Sequence, residues 1–221
     1  KSIAAKMPPS WQDELKRIRF RLQIYRGTFT TDEPEFDLIP QLLSPGDWAV
    51  DVGANVGHYT KKLSDAVGPK GRVIAIEPIP QTFALLAANV ALFQNKNVTL
   101  MNTAATDDPK VVAMAIPKFK SGLSNYYQAH MCDQAMEGED TTSVLALQID
   151  RLQLGGRIGL VKIDAEGHEL EVVRGMTHLL RTHHPSMIVE GSSSEVELLL
   201  VGYGYTAAHL ARSPNTLFSA Q

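Results

Sequence analysis

The chain has 221 residues, which at about 150 residues per domain argues for one embellished domain rather than two. Hydrophobic residues make up 44% and charged residues 20%, an ordinary globular balance, and a chain of this size can bury roughly 70% of its unfolded surface without disulfides or a structural metal. Lys and Arg number 21 against 24 Asp and Glu, a formal charge of −3 that argues against a bulk nucleic-acid binder. The charge is uneven: residues 1–26 hold seven Lys and Arg and two acids, a local +5, and the remainder carries −8. The single cysteine, Cys132, excludes an intrachain disulfide or a cysteine zinc cluster and fits a reducing compartment. No apolar run reaches 18 residues and no secretory signal is visible, so a cytoplasmic location is expected.

Along the chain, Trp11, Leu15, Ile18, Leu22 and Tyr25 recur at helical spacing up to Gly27, which predicts an amphipathic helix packed on the body through that stripe. A second helix is expected over 36–43, stopped by Pro45-Gly46. The period then changes. Residues 48–52 form a buried strand running into glycines, 56–67 a helix, 72–77 a strand, 81–93 a helix and 98–105 a third strand. Residues 111–116 and 143–149 are strand-like. A strand at 158–164, a helix at 168–181, a strand at 186–190 and a helix at 194–201 follow, with closing strands at 205–210 and 216–220. Strands alternating with helices predict an α/β protein with a doubly wound parallel sheet. Residues 117–142 are polar and without period, hold Tyr126, Tyr127, His130 and Cys132, and are expected to form a lid over an acceptor pocket.

The chemistry concentrates at strand ends, where open α/β sheets bind ligands. The first strand runs into Asp51-Val-Gly53-Ala-Asn55-Val-Gly57, glycines that let the backbone turn tightly at the start of a helix. Glu77 ends the second strand, 26 positions after Asp51, where an acid can take both hydroxyls of a ribose. Asp164 and Glu190 end two later strands. Four carboxylates along one edge would repel a pyrophosphate, and the Gly-x-x-x-Gly spacing is not that of a dinucleotide site. S-adenosylmethionine, which carries an ammonium and a sulfonium and no phosphate, suits that edge better. Each acid also has a plain structural reading as a cap, surface pair or rim charge.

Three blocks, DVGANVGHYT at 51–60, IEPIPQTFALLAANV at 76–90 and LVKIDAEGHELEVVRGM at 160–176, resemble the FkbM family of S-adenosylmethionine-dependent methyltransferases. The resemblance runs from about Pro45 to Glu190. It implies the class I methyltransferase fold, a Rossmann-like seven-stranded sheet with an antiparallel last strand. The N-terminal helical extension would then cover 1–44 and the cofactor-binding domain 45–221. It also implies roles. Asp51, Gly53, Asn55 and Gly57 would form the turn at the methionine end. His58 and Tyr59 would lie near the cofactor's carboxylate, and Glu77 would hold the ribose. Pro78 and Ile79 would lie against the adenine, with Ala105 and Thr106 at its edge. Asn55 stands where many class I relatives carry glycine, which suits this family.

For the acceptor side, Lys162 and Asp164 alternate onto one face of a strand. A lysine inside a buried strand needs a carboxylate partner, so a structural ion pair with Asp164 or Glu190 stands beside a catalytic role. His168 opens the next helix as a candidate base or as a solvent-facing residue. Asp164 and Glu190 could hold a divalent metal, which two carboxylates alone do not predict. His178, His183 and His184 are assigned no chemistry. The expected function is methyl transfer to a hydroxyl of a small molecule, a sugar or natural product, with no nucleic-acid partner and with a homo-oligomer possible. The alternatives are a non-catalytic cofactor-binding or partner-docking module, or an RNA or protein methyltransferase using the basic segment.

Overall fold

The computed structural model describes residues 9–119, 124–132 and 139–220. Parts of the expected extension and lid, and the side chain of Tyr127, lie outside the described residues. In chain order the structure contains α1 (Pro9–Arg26), α2 (Ile39–Leu42), β1 (Trp48–Val52), α3 (His58–Val67), β2 (Arg72–Ile76), α4 (Pro80–Val90) and β3 (Val98–Met101). These are followed by β4 (Ala104–Ala105), β5 (Lys110–Ile116), β6 (His130–Cys132), β7 (Asp140–Leu147) and β8 (Ile158–Ile163). The chain closes with α5 (Glu169–Arg174), α6 (Thr177–His183), β9 (Ser186–Glu190), α7 (Ser194–Gly202), β10 (Tyr205–His209) and β11 (Asn215–Ala220).

Seven strands form the main sheet in the order β10-β11-β9-β8-β1-β2-β3. All neighbours are parallel except β11, which runs antiparallel to both β9 and β10. This is the mostly parallel class I arrangement with an antiparallel edge. The central strands are buried runs of Val, Ile, Leu and Ala, as a sheet covered on both faces requires. One face packs Ile39, Leu63 and Val67 against Val73 and Leu160. The other packs Val172, Met176, Leu180 and Leu200 against Val161 and Met187. β1 sits between β2 and β8, so the chain winds away from it in two directions and leaves a crevice at the carboxyl ends of these strands.

Several expected elements differ. The apolar stripe of α1 faces outward: Trp11 is 62% exposed and Tyr25 65%, with Leu15, Ile18 and Leu22 also exposed. The helix carries a second apolar set half a turn away, and Phe20 with Ile24 is the face that packs against Phe29, Val56, Leu85 and Phe93. Phe20 meets Phe29 edge to face at 5.7 Å, whereas the Trp11 and Tyr25 rings of the outer stripe stay exposed. The helix expected over 36–43 is broken into a 3-10 turn at Pro34–Asp37 and the single turn α2.

The strand expected over 98–105 also splits. Asn102 turns its amide onto the carbonyls of Glu77 and Pro78, and Thr103 bonds the Leu145 carbonyl, which delivers β4 to a second sheet of order β4-β7-β5-β6. Part of the expected unpatterned lid is therefore a strand, since β6 pairs antiparallel with β5. The helix expected over 168–181 breaks at Gly175. A Cβ there would stand 2.1 Å from the Thr106 carbonyl oxygen, and Asp150 caps the restart by accepting from the amides of His178 and Leu179.

Candidate active site

The turn after β1 is shaped by backbone that few residues tolerate. Gly53 has φ 73° and Gly57 φ 99°, and Asn55 adopts φ 49° without being glycine. A Cβ on Gly53 would stand 1.8 Å from the carbonyl oxygen of Asp164, so the ends of β1 and β8 approach as closely as backbone can. Glu166, in the loop after β8, is a second non-glycine residue with positive φ, at 49°. Glu169 organises that loop by accepting from the amides of Ala165 and Gly167, both at 3.1 Å. Strained positions at two adjoining strand ends are what a binding crevice leads one to look for.

A first cavity opens on the β2 side of this turn. Glu77, Pro78 and Ile79 form one wall, with Ala104 and Ala105 beside them. Met114 and Met131 of the second sheet close it from above together with Tyr126 of the 3-10 turn between β5 and β6, making a mainly apolar slot. Glu77 is buried, and its carboxylate accepts from the amides of Asn55 and Ile79, each at 2.9 Å. Burial pushes its pKa up to about 7, against the pull of those two amides. Two oxygens pinned by backbone still have lone pairs to accept from hydroxyls.

A second cavity lies across the turn. Gly53, Asn55 and Asp164 line both cavities, and His58, Tyr59 and Lys162 line only the second. Asn55 Oδ1 is buried with no hydrogen-bond partner among the described residues. The His58 ring lies 4.2 Å from that of Phe29, and burial lowers its pKa. The buried Tyr59 hydroxyl sits between the carboxylates of Glu33 and Glu35.

Beneath this cavity is a buried charge cluster. Lys162 is 3% exposed, and its Nζ lies 2.9 Å from Asp164 Oδ2 and 5.0 Å from the Tyr59 ring centre. Burial works to lower the lysine's pKa, but Asp164, Asp51 and Glu190 outweigh it and the net shift is upward. Asp51 is fully buried and accepts from Thr60 Oγ1 at 2.5 Å. Burial raises its pKa to about 6. Glu190, at the end of β9, is raised to about 7 by burial and by the neighbouring Asp164 carboxylate.

Two of the expected site residues lie elsewhere. Thr106 and His168 line neither cavity but a groove with Cys132 that meets the first cavity only at Met131, and His168 Nε2 is 3.3 Å from the Met131 carbonyl oxygen. Ala104 stands at the first cavity where Thr106 was expected. Among the described residues no three His, Cys, Asp or Glu side chains group as a metal site. No described helix is long and apolar enough to cross a membrane. The residues that sequence reasoning passed over are Thr31 and Glu33, from the segment between α1 and α2, and Met114 and Glu166 at the first cavity.

Comparison with known proteins agrees with this architecture. The chain is 28% identical over 154 residues to the Hexuronic acid methyltransferase AglP of Haloferax volcanii, covering 67% of this chain and 59% of that protein. It is 29% identical over 196 residues to the 31-O-demethyl-FK506 methyltransferase FkbM of Streptomyces tacrolimicus, covering 74% of each. The crystal structure of Methyltransferase FkbM from Methylobacillus flagellatus KT superposes with a TM-score of 0.56 at 18% identity, over 80% of this chain and 44% of that one, a likeness of fold. This chain thus spans less than two thirds of two of these three relatives. The profile of the Methyltransferase FkbM domain matches residues 51–206, which is most of the chain, and the protein belongs to that family.

Proposed function

We propose that the protein is an S-adenosylmethionine-dependent methyltransferase that methylates a hydroxyl of a small molecule, a sugar or natural product. The observation that carries this reading is the Glu77 carboxylate, held by two backbone amides at the mouth of an apolar slot and joined through Gly53 and Asn55 to a second, acidic cavity. The residues fit the cofactor on two grounds: Asn55, which lines both cavities, has a buried Oδ1 with no partner among the described residues, and the donor set is carboxylates and apolar walls, which suit a cationic nucleoside without phosphate. Glu77 would hold the ribose, and Pro78, Ile79 and Ala105 the adenine. Asp51, Gly57, His58 and Tyr59 would shape the methionine end. The bound cofactor supplies an electrophilic methyl group.

The chain's own residues then have to position a hydroxyl and receive its proton. We assign the proton to the paired carboxyls of Asp164 and Glu190, with Lys162 fixing Asp164 from below. A carboxyl near 7 is a better base than one near 4 and is still ionised in good part at neutral pH. Met114, Tyr126 and Met131 exclude water from the slot, and we read 117–142 as the acceptor lid of the 45–221 domain. The Streptomyces tacrolimicus relative, named for a 31-O-demethyl acceptor, supports a hydroxyl acceptor, and the Haloferax volcanii relative, named for a hexuronic acid, supports a sugar. Calorimetry with S-adenosylmethionine and S-adenosylhomocysteine on the wild type and Glu77→Ala tests the cofactor half. Micromolar binding lost in the variant is expected, and no binding by the wild type overturns the reading. Labelled-methyl transfer to a panel of hydroxylated acceptors tests the rest.

A further inference from the structure

The segment between α1 and α2 is pinned on both sides of Glu33. Phe29 is buried against His58 and Phe20, and Phe36 is buried edge-on against Tyr59 at 5.3 Å. Glu35, fully buried, accepts from the Asn215 amide of β11. Between these anchors Glu33 takes the Tyr59 hydroxyl on one oxygen and lines the second cavity together with Thr31. Its charge acts on Glu190. The cavity and the cluster beneath it thus gather the carboxylates of Glu33, Asp164, Asp51 and Glu190 against one ammonium, Lys162, which is already paired with Asp164.

A strap held by three buried anchors carries one more carboxylate to the edge of an acidic cavity, an arrangement that suits a cationic ligand. We propose that Glu33 is a positioning residue of the cofactor site: its carboxylate receives the α-ammonium of the cofactor's amino-acid end, so the strap is part of the binding site. This rests on the cofactor reading given above. The two cavities share Gly53, Asn55 and Asp164 as a waist, with the ribose-holding Glu77 on one side and Glu33 on the other. A nucleoside in the first cavity therefore directs its amino-acid tail toward Glu33.

Three ligands separate the possibilities. S-adenosylhomocysteine carries the ammonium and the carboxylate, its decarboxylated form carries only the ammonium, and 5′-methylthioadenosine carries neither. Glu33→Gln keeps an oxygen for the Tyr59 hydroxyl, so its thermal melt is expected to match that of the wild type. By calorimetry it should lose at least about tenfold affinity for the first two ligands and keep 5′-methylthioadenosine within about twofold. An equal loss for all three, or no loss, overturns the assignment and leaves the cofactor reading intact. A wild type that binds none of them overturns both. Tyr59→Phe frees Glu33 without removing its charge, and should keep the preference for S-adenosylhomocysteine over 5′-methylthioadenosine. Loss of that preference in a folded Tyr59→Phe protein would move the role to Tyr59 and overturn the proposal.

Discussion

Gly53 and Asp164 meet so closely that a single added methyl group on Gly53 would fall 1.8 Å from the Asp164 carbonyl oxygen. The contact sets the width of the crevice between β1 and β8, and the φ of 73° at Gly53 is a second reason for glycine. Gly53→Ala is therefore expected to destabilise the protein by more than about 3 kcal/mol in urea unfolding and to abolish S-adenosylhomocysteine binding. Survival of both stability and binding would mean that the strand ends can part without consequence.

The proposed base makes opposite predictions for two residues of one sequence block and its neighbour. Glu190→Gln should lower kcat by about 10²–10⁴-fold while leaving the Kd for S-adenosylhomocysteine unchanged. His168→Ala should leave kcat within about threefold, because His168 lines the groove with Thr106 and Cys132 and neither of the two cavities joined at Gly53 and Asn55. The rate of the wild type should rise with pH through about 7, as Glu190 beside Asp164 loses its proton. A flat profile with an active Glu190→Gln variant would remove the carboxyl pair from the chemistry.

Lys162 is the cation of a buried cluster with three carboxylates around it. Lys162→Met would leave those acids without their counter-charge, at a cost of about 3–5 kcal/mol at neutral pH. The same change should move the rising limb of the pH profile upward, since the lysine holds the Glu190 pKa down. Acid should partly rescue the stability of this variant, measured by denaturant unfolding at pH 5 and pH 8.

Glu77 and Asp51 give the empty protein a distinct pH signature. Their folded pKa values of about 7 and about 6 lie above the ordinary carboxyl values of 4.5 and 3.8. Each binds its proton more tightly folded than unfolded. Their stabilisation is complete below about pH 4 and is lost as pH rises through 6 and 7, on the order of 3 kcal/mol for each group. The melting temperature of the ligand-free protein should therefore fall between pH 5 and pH 8, and fall less in Glu77→Gln. Differential scanning calorimetry across that range decides it.

The faces of α1 test the packing directly. Phe20→Ala should cost about 3–4 kcal/mol, because Phe20 is buried among Phe29, Val56, Leu85 and Phe93. Ile18→Ala, at an exposed position, should stay within about 0.5 kcal/mol. Reversal of the two would restore the face that spacing alone suggests.

That reversal shows where the sequence was readable and where it was not. The strands of the main sheet announce themselves because a strand buried on both faces is a run of Val, Ile, Leu and Ala, as in β1, β2 and β8, and the acids at their ends follow by position. In α1 two apolar stripes compete, and local spacing has no means of ranking five exposed residues below Phe20, whose partners come from four other segments. β4 is two residues long, too short for any period, and the break at Gly175 depends on the Thr106 carbonyl, distant in sequence. Glu33 is unreadable for the same reason: one of four acids with Asp32, Glu35 and Asp37 in a short stretch, it gains meaning only from Tyr59, 26 positions on.

Glu35 and Asn215 are 180 positions apart, and their contact ties the strap to a strand near the end of the fold. On the ribosome, β1, β2 and β3 emerge early, whereas the anchor for the strap is made last. The slot is complete only once Glu166 has followed, 49 positions before Asn215, and at about 5–20 residues per second this leaves roughly 2–10 s. A nascent chain in that interval can offer a nucleoside slot but no fastened strap, so cofactor capture becomes a late checkpoint on synthesis. Loss of β11 would be felt at the opposite end of the chain, as a loosened strap.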